Sequence, residues 1–160
     1  MKTLFLVRHA KSSWNDPALA DKDRPLTDRG RQDARRMGKR LAKRDVKPDA
    51  IFSSPARRAL TTARIVAKKL DCKVKDIRVD DRLYAVEADD LLHFIRGLGD
   101  KPKSVMLIGH NPELTELAHR LSNEIAYMPT CAIAVFRIDA KSWSRAGKDK
   151  PAGAKLYLPR

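Results

Sequence analysis

Two histidines in this chain come directly after apolar runs and could carry chemistry. His9 follows Arg8 at the end of the apolar residues 4–7. His110 follows the apolar residues 105–108 and a single glycine. A neutral imidazole is a good nucleophile toward phosphorus, and a guanidinium offers paired planar donors that match phosphate oxygens. The Arg8-His9 pair therefore suggests phosphoryl transfer through His9, although the dipeptide alone also fits a solvated arginine beside a hydrogen-bonded histidine.

A third polar sequence follows another short apolar run and carries Arg57 and Arg58. Ser54 and Pro55, just before them, are typical of a helix start, so we expect a helix over residues 56–70 with both arginines in its first turn. A helix N-terminus has free amide groups and a partial positive charge, and an arginine there adds to an anion site. We expect one of these arginines to bind an anion and the other to be solvated.

The elements that must position these groups can be predicted from hydrophobic periodicity and turn residues. The strands are expected at residues 4–8, 50–53, 73–79, 104–108, 132–138 and, as an edge strand, 156–158. The helices are expected at residues 28–44, 56–70, 88–98 and 113–121. This alternation predicts an α/β fold, a three-layer α/β/α sandwich around a mostly parallel sheet. Because the carboxyl ends of parallel strands lie along one edge, the three motifs should converge on one crevice.

The chain is the size of one domain, which we expect to cover residues 1–160, and it is strongly basic. Its 34 lysines and arginines against 20 acidic residues give a net charge of +14 and a pI near 10.1. Such a charge attracts phosphorylated substrates, acidic protein surfaces or nucleic acid, and it also fits a solvated face. Much of it lies on the helix predicted over residues 28–44, which we expect to dock with a basic outer face.

The sequence also predicts what the protein lacks. Cys72 and Cys131 are far apart without CxxC spacing, and the four histidines show no HxxxH or HxH pattern, so we expect no metal and no cofactor. No segment approaches the ~20 apolar residues of a membrane span, and the N-terminal apolar run is too short for a signal peptide. We therefore expect a cytoplasmic protein without a membrane partner.

Taken together, the motifs resemble those of the histidine phosphatase superfamily, also called phosphoglycerate-mutase-like, over nearly the whole chain. Residues 8–10 resemble its Arg-His-Gly signature with alanine in place of glycine, residues 53–63 its second motif and residues 109–112 its third. The resemblance implies the phosphoglycerate-mutase-like fold and a metal-independent phosphatase that works through a phosphohistidine intermediate. The catalytic residues that it implies are His9, Arg8, Arg58 and His110.

The resemblance also implies phosphate-binding residues and a substrate class. Asn15 falls where the signature's phosphate-binding asparagine stands, and Ser12 in the same loop is expected to bind phosphate as well. Residues 8–14, 24–30, 83–84 and 109–112 look most like small bacterial phosphohistidine phosphatases of the SixA type. This likeness implies phosphohistidine on a partner protein as the substrate. The oligomeric state stays open.

Two other functions stay open at this point. A small-molecule phosphomonoesterase or mutase would act on a small phosphorylated substrate, but such enzymes generally carry inserted segments for which this short chain has little room. A basic nucleic-acid-binding module is the more remote alternative, because only 6% of the residues are aromatic. Cleavage of alkyl phosphates needs a general acid, and the sequence does not decide whether Asp80, Asp81 or Glu87 serves as one.

Overall fold

The computed structural model describes residues 1–159. The strands are β1 (Lys2–Arg8), β2 (Ala50–Ser53), β3 (Arg78–Val79), β4 (Ser104–Gly109), β5 (Ile133–Ile138) and β6 (Gly153–Tyr157). The helices are α1 (Asp28–Ala42), α2 (Arg57–Lys69), α3 (Ala88–Arg96) and α4 (Glu113–Leu121). Short 3₁₀ turns lie at Asp21–Asp23, Val74–Asp76, Asp81–Leu83 and Trp143–Arg145.

The six strands form one sheet in the order β3-β2-β4-β1-β5-β6. The pairs β3-β2, β2-β4 and β4-β1 are parallel, and the pairs β1-β5 and β5-β6 are antiparallel. This confirms the predicted mostly parallel sheet. In the β1-β4 pair, Arg8 lies opposite Gly109, so the two residues that follow them, His9 and His110, leave the sheet side by side.

Helices cover both faces of the sheet, as predicted for a three-layer α/β/α sandwich. Successive side chains of a strand point to opposite faces. Phe5 and Val7 of β1 pack in one core cluster with the apolar residues of α1 and α2. Leu4 and Leu6 pack in the other cluster with α3 and α4. Residues 4–7 of the central strand β1 are therefore all apolar, because both faces of the strand are buried there.

Several predicted boundaries are wrong. The strand predicted over residues 73–79 is a 3₁₀ turn followed by only two strand residues, Arg78 and Val79, both exposed. At this sheet edge there is little burial to favour a longer strand. Helix α1 ends at Ala42 rather than at residue 44, and α3 ends at Arg96 rather than at residue 98.

The start of α2 and the C-terminal strand also differ from prediction. Helix α2 begins at Arg57 with Ala56 as its N-cap, and no side chain caps it. The Ser54 hydroxyl instead accepts a hydrogen bond from the Ala56 amide, at 3.2 Å. Strand β6 begins at Gly153, three residues before the predicted edge strand, because it pairs with β5 from Gly153 to Tyr157.

No helix within residues 1–159 is long and apolar enough to span a membrane.

Candidate active site

A polar cleft of about 460 Å³ opens at the carboxyl edge of the sheet, where β1, β4 and the start of α2 meet. Its walls come from the loops after β1 and β4, from α2 and from the segments before α1 and β5. The residues that line it are Arg8, His9, Lys11, Ser12, Trp14, Arg24, Arg58, His110, Asn111 and Thr130. The cleft therefore combines two histidines with four side chains that carry a positive charge, and no carboxylate is among these lining residues.

His9 is buried in the cleft with only 8% of its surface exposed. Its Nδ1 lies 2.7 Å from the carbonyl oxygen of Ala10. Because a carbonyl oxygen only accepts hydrogen bonds, Nδ1 must carry the proton. The neutral ring then has its lone pair on Nε2, so Nε2 is the nitrogen that can attack an electrophile.

The surroundings of His9 keep its ring neutral. Burial lowers its pKa from 6.5 to about 4, and the positive charges of Arg58, Arg8 and Arg24 act in the same direction. The hydrogen bond to Ala10 opposes this change by raising the pKa. His9 is therefore an uncharged imidazole at neutral pH, the form that a nucleophile requires.

The second histidine lies beside the first, with the ring centroids of His9 and His110 5.0 Å apart. Its Nε2 is 2.7 Å from the Ser54 hydroxyl, which already accepts the Ala56 amide. The serine proton has no other acceptor within residues 1–159, so we assign the hydroxyl as the donor to Nε2. The proton of the His110 ring then sits on Nδ1. Burial lowers the pKa of His110 to about 3, aided by the positive charges of Arg58 and Arg8, so this ring is neutral as well.

The two predicted arginines approach the cleft from different elements. Arg8 Nη1 donates to the Tyr127 hydroxyl and to the Met128 carbonyl oxygen, both at 3.1 Å. Arg58 is buried and donates from Nη1 to the backbone oxygen of Asp21 at 2.7 Å. Arg57 is exposed, which agrees with the prediction that only one of the two arginines on α2 would be solvated.

Three buried nitrogens of the cleft have no hydrogen-bond partner within residues 1–159. They are Arg8 Nε, Arg58 Nε and His110 Nδ1, and the remaining buried side-chain atom without a partner is Asp33 Oδ1. Leaving a buried donor unpaired costs on the order of 1–3 kcal/mol, so such groups need a reason to be there. Oxygens of a bound phosphoryl group would accept from all three donors.

The structure brings His9, Arg8, Arg58 and His110 together in one cleft. Ser12 also lines the cleft, and its hydroxyl accepts from Arg24 Nη1 at 2.9 Å. The structure does not bring in the remaining phosphate-binding candidate. Asn15 is exposed and is absent from the lining residues, so its role stays a prediction.

Sequence reasoning assigned no role to Arg24, Asp21 or Tyr84. Arg24 is buried, lines the cleft and pairs with Asp21 at 3.2 Å, and its guanidinium carbon lies 3.5 Å from the centroid of the exposed Trp14 ring. Tyr84 donates its hydroxyl to Asp21 Oδ2 at 2.6 Å. The only signal in the sequence was that Arg24 and Tyr84 lie in segments with the SixA-type resemblance. Nothing in the spacing indicated that these loop residues meet.

None of the candidate general acids lines the cleft. Asp80 is paired with Arg82, 2.8 Å away. Asp81 is exposed on its 3₁₀ turn. Glu87 is the N-cap of α3 and forms a capping box with Asp90. Within residues 1–159, no group of three or more histidine, cysteine, aspartate or glutamate side chains is arranged to hold a metal ion.

Comparison with known proteins relates the chain to one superfamily. The family model of the histidine phosphatase superfamily (branch 1) matches residues 4–91. An uncharacterised chloroplastic protein of Arabidopsis thaliana is 31% identical over 164 residues, which cover 97% of this chain and 75% of that protein.

Two solved structures share the architecture. The protein histidine phosphatase SixA complexed with tungstate matches with a TM-score of 0.82 at 25% identity and covers 98% of this chain and 97% of its own. A candidate phosphohistidine phosphatase SixA from Agrobacterium tumefaciens matches with a TM-score of 0.79 at 28% identity, over 86% of this chain and 92% of its own.

Proposed function

Because this chain belongs to the histidine phosphatase superfamily, we propose that it is a phosphatase that forms a covalent phosphohistidine on His9. We propose phosphohistidine of a partner protein as its substrate. The observation that carries the proposal is the group of three unpartnered donors beside a neutral imidazole, on Arg8, Arg58 and His110. A phosphoryl group is the ligand that such a site suits.

In the first step of the proposed reaction, Nε2 of His9 attacks phosphorus. A bond forms between phosphorus and Nε2 as the bond between phosphorus and the leaving group breaks. Arg8, Arg58 and His110 donate hydrogen bonds to the equatorial oxygens, on which negative charge is redistributed in the transition state. The Ala10 carbonyl accepts the Nδ1 proton, so the positive charge that develops on the ring is stabilised where it forms.

In the second step, water attacks phosphorus on the opposite side and the bond to Nε2 breaks. Inorganic phosphate leaves, the proton of the attacking water goes to solvent or phosphate, and His9 returns to its neutral form. No step uses a metal ion, and we expect chelators to leave the rate unchanged.

The choice of phosphohistidine over an alkyl phosphate is supported by the composition of the cleft. An alkoxide is a poor leaving group and needs a general acid, but no carboxylate is among the residues that line this cleft. Asp21, which pairs with the lining residues Arg24 and Arg58, has its pKa held well below the usual range by the hydrogen bond from Tyr84 and by Arg58. It is ionised at neutral pH. The imidazole of a phosphohistidine leaves readily once it is protonated and needs no such acid.

The SixA structures support the same choice. They are described as a protein histidine phosphatase and a candidate phosphohistidine phosphatase, and they match 98% and 86% of this chain. Basic side chains around an open cleft also suit a phosphorylated protein surface.

The test is turnover of three substrates by the unmodified protein: a phosphohistidine protein, an aryl phosphate and a sugar phosphate. We expect rapid hydrolysis of the first two and slow hydrolysis of the third. His9→Ala should abolish turnover, and labelled substrate should leave an acid-labile phosphoryl group on the native protein. His93→Ala, which changes an exposed histidine outside the cleft, is the matched control and should keep full activity.

Efficient turnover of the sugar phosphate, lost on changing Asp81 or Glu87, would instead make the protein a small-molecule phosphomonoesterase. Activity in His9→Ala near that of the native protein would contradict the assigned nucleophile.

A further inference from the structure

Asp21 holds the Arg58 guanidinium at both of its terminal nitrogens. Arg58 Nη2 donates to the Asp21 carboxylate oxygen Oδ2 at 2.9 Å, and Arg58 Nη1 donates to the Asp21 backbone oxygen at 2.7 Å. The guanidinium is planar, so two fixed nitrogens fix the direction of the third. That third nitrogen, Nε, is the buried donor without a partner within residues 1–159.

Tyr84 connects this ion pair to the second histidine. Its hydroxyl donates to the same oxygen, Asp21 Oδ2, at 2.6 Å. Its ring meets the His110 ring edge to face, with the centroids 5.6 Å apart. One side chain therefore contacts both the carboxylate that orients Arg58 and the imidazole that faces His9.

Asp21 itself is outside the set of residues that line the cleft, and its side chain is 48% exposed. The carboxylate is nevertheless fixed from three directions, because Arg24 Nε also donates to Oδ1 at 3.2 Å. Its pKa is lowered chiefly by the hydrogen bond from Tyr84, so it keeps its negative charge at neutral and mildly acidic pH.

We infer that Asp21 and Tyr84 are positioning residues. They aim the Arg58 guanidinium at the transferring phosphoryl group and hold it in a fixed position relative to the His110 ring. The inference deepens the proposed function and rests on it for its kinetic readout. The geometry needs both partners: the carboxylate orients the arginine, and the tyrosine hydroxyl orients the carboxylate.

This role has an electrostatic consequence that separates it from simple support of the fold. A carboxylate next to a phosphate site repels a bound anion and weakens ground-state binding. Loss of its charge should therefore leave phosphate binding unchanged or tighter. The same change frees Arg58 to reorient, so the phosphoryl group is bound less well in the transition state and kcat falls.

The test compares Asp21→Asn, Tyr84→Phe and the control Asp23→Asn. Asp23 lies in the same 3₁₀ turn, is exposed and makes no side-chain hydrogen bond or ion pair within residues 1–159. With an aryl phosphate we expect Asp21→Asn to lower kcat about 10- to 100-fold, with KM unchanged or lower; the loss is smaller than the roughly 10²- to 10³-fold typical of a removed transition-state donor because Arg58 itself remains. We expect a smaller loss of kcat in Tyr84→Phe and none in the control.

Calorimetric binding of inorganic phosphate gives a readout that needs no turnover. We expect Asp21→Asn to bind phosphate as tightly as the native protein or more tightly. We also expect Asp21→Asn to have little further effect in a protein that already carries Arg58→Ala, because residues that act through each other are not additive. This coupling is measured in kcat, whereas the unchanged or tighter phosphate affinity of Asp21→Asn can be measured even if the protein turns over none of the substrates and the proposed function fails.

Two results would overturn the inference. One is a kcat of Asp21→Asn that equals the kcat of the native protein. The other is a fall in kcat together with weaker phosphate binding and additivity with Arg58→Ala, which would show that Asp21 only supports the fold.

Discussion

At the scale of single residues, the buried neutral histidines link the site to the stability of the protein. The pKa of His9 is about 4 in the folded protein, chiefly because of burial, against 6.5 for a free histidine. Between these two pH values the unfolded chain binds more protons than the folded protein. The free energy of unfolding should therefore fall as the pH drops from 6.5 to 4, by about 3 kcal/mol for a shift of this size.

Denaturation at a series of pH values between 7.5 and 4.5 measures this effect. His9→Gln should flatten the curve relative to the native protein, because glutamine takes up no proton. His93→Gln, at an exposed position, should leave the curve unchanged. An equal acid response in all three proteins would contradict the neutral, buried state of His9.

The two adjacent arginines of α2 give a second prediction at this scale. Arg58 is buried in the cleft and Arg57 is exposed, although they are neighbours in the chain. Arg58→Ala should lower the rate about 10²- to 10³-fold, the typical effect of removing a preorganised donor. Arg57→Ala should lower it less than about twofold at moderate salt. Equal losses would show that the wrong arginine has been assigned.

How much of the site could be predicted at residue scale depends on where each residue lies. His9 and His110 follow buried strands of one parallel sheet, so strand prediction alone brings them together. Asp21 and Tyr84 lie in loops 63 positions apart, and no periodicity connects them. Asn15 was expected from a motif, but the loop that carries it is exposed, and a motif does not specify how a loop turns.

At the scale of elements, the N-terminus of α1 is fastened to the loop after the proposed nucleophile. Thr27 caps the helix by accepting the Gly30 amide at 3.0 Å, and its own amide donates to the Lys11 carbonyl oxygen at 2.9 Å. Gly30 faces that same carbonyl so closely that a Cβ there would lie 2.2 Å from the oxygen. The helix therefore sets the path of the loop that lines the cleft.

Gly30→Ala tests this connection. Alanine is normally better than glycine in a helix by roughly 1 kcal/mol, but here the clash with backbone should reverse the sign and destabilise the protein by about 1–3 kcal/mol. Activity should fall too, because the Lys11 carbonyl must move. Gly99→Ala is the control, since a Cβ at Gly99 meets nothing within 4 Å. A variant Gly30→Ala with unchanged melting temperature and activity would show that the contact relaxes without cost.

The bounds of an element are predicted correctly where a single strong signal in the sequence determines them. They are predicted wrongly where two effects compete. Strand β2 was predicted to the residue because turn residues bound a short buried run. The start of α2 was misplaced because Ser54, a residue type that favours caps, has its hydroxyl placed to hydrogen-bond His110 instead. Strand β3 was overextended because alternation was weak and its two residues are exposed, so burial does not favour a longer strand.

At the scale of the whole molecule, the positive charge is concentrated on one side of the sheet. Residues 27–70 carry fourteen lysines and arginines against four aspartates, so they hold +10 of the net charge of +14. They form α1 and α2, which pack on the same face of the sheet, and α2 begins at the cleft. We therefore expect this charge to attract a partner that approaches the cleft, an expectation that composition alone could not give.

The last prediction follows from this distribution and concerns an acidic phosphohistidine protein as the substrate. Charges attract over about 10 Å at 0.1 M salt and less at higher salt, so kcat/KM toward that protein should fall steeply with added salt, while an aryl phosphate responds much less. Changing three exposed residues of α1 and its C-cap to glutamine should lower kcat/KM at low salt and flatten the salt dependence. These residues are Arg35, Lys39 and Lys43.

The matched control changes three exposed lysines outside α1 and α2, namely Lys101, Lys141 and Lys148, and should have a smaller effect for the same loss of charge. Equal effects of the two triple changes would mean that only net charge matters, and no salt effect on the protein substrate would mean that the basic face does not guide it to the cleft.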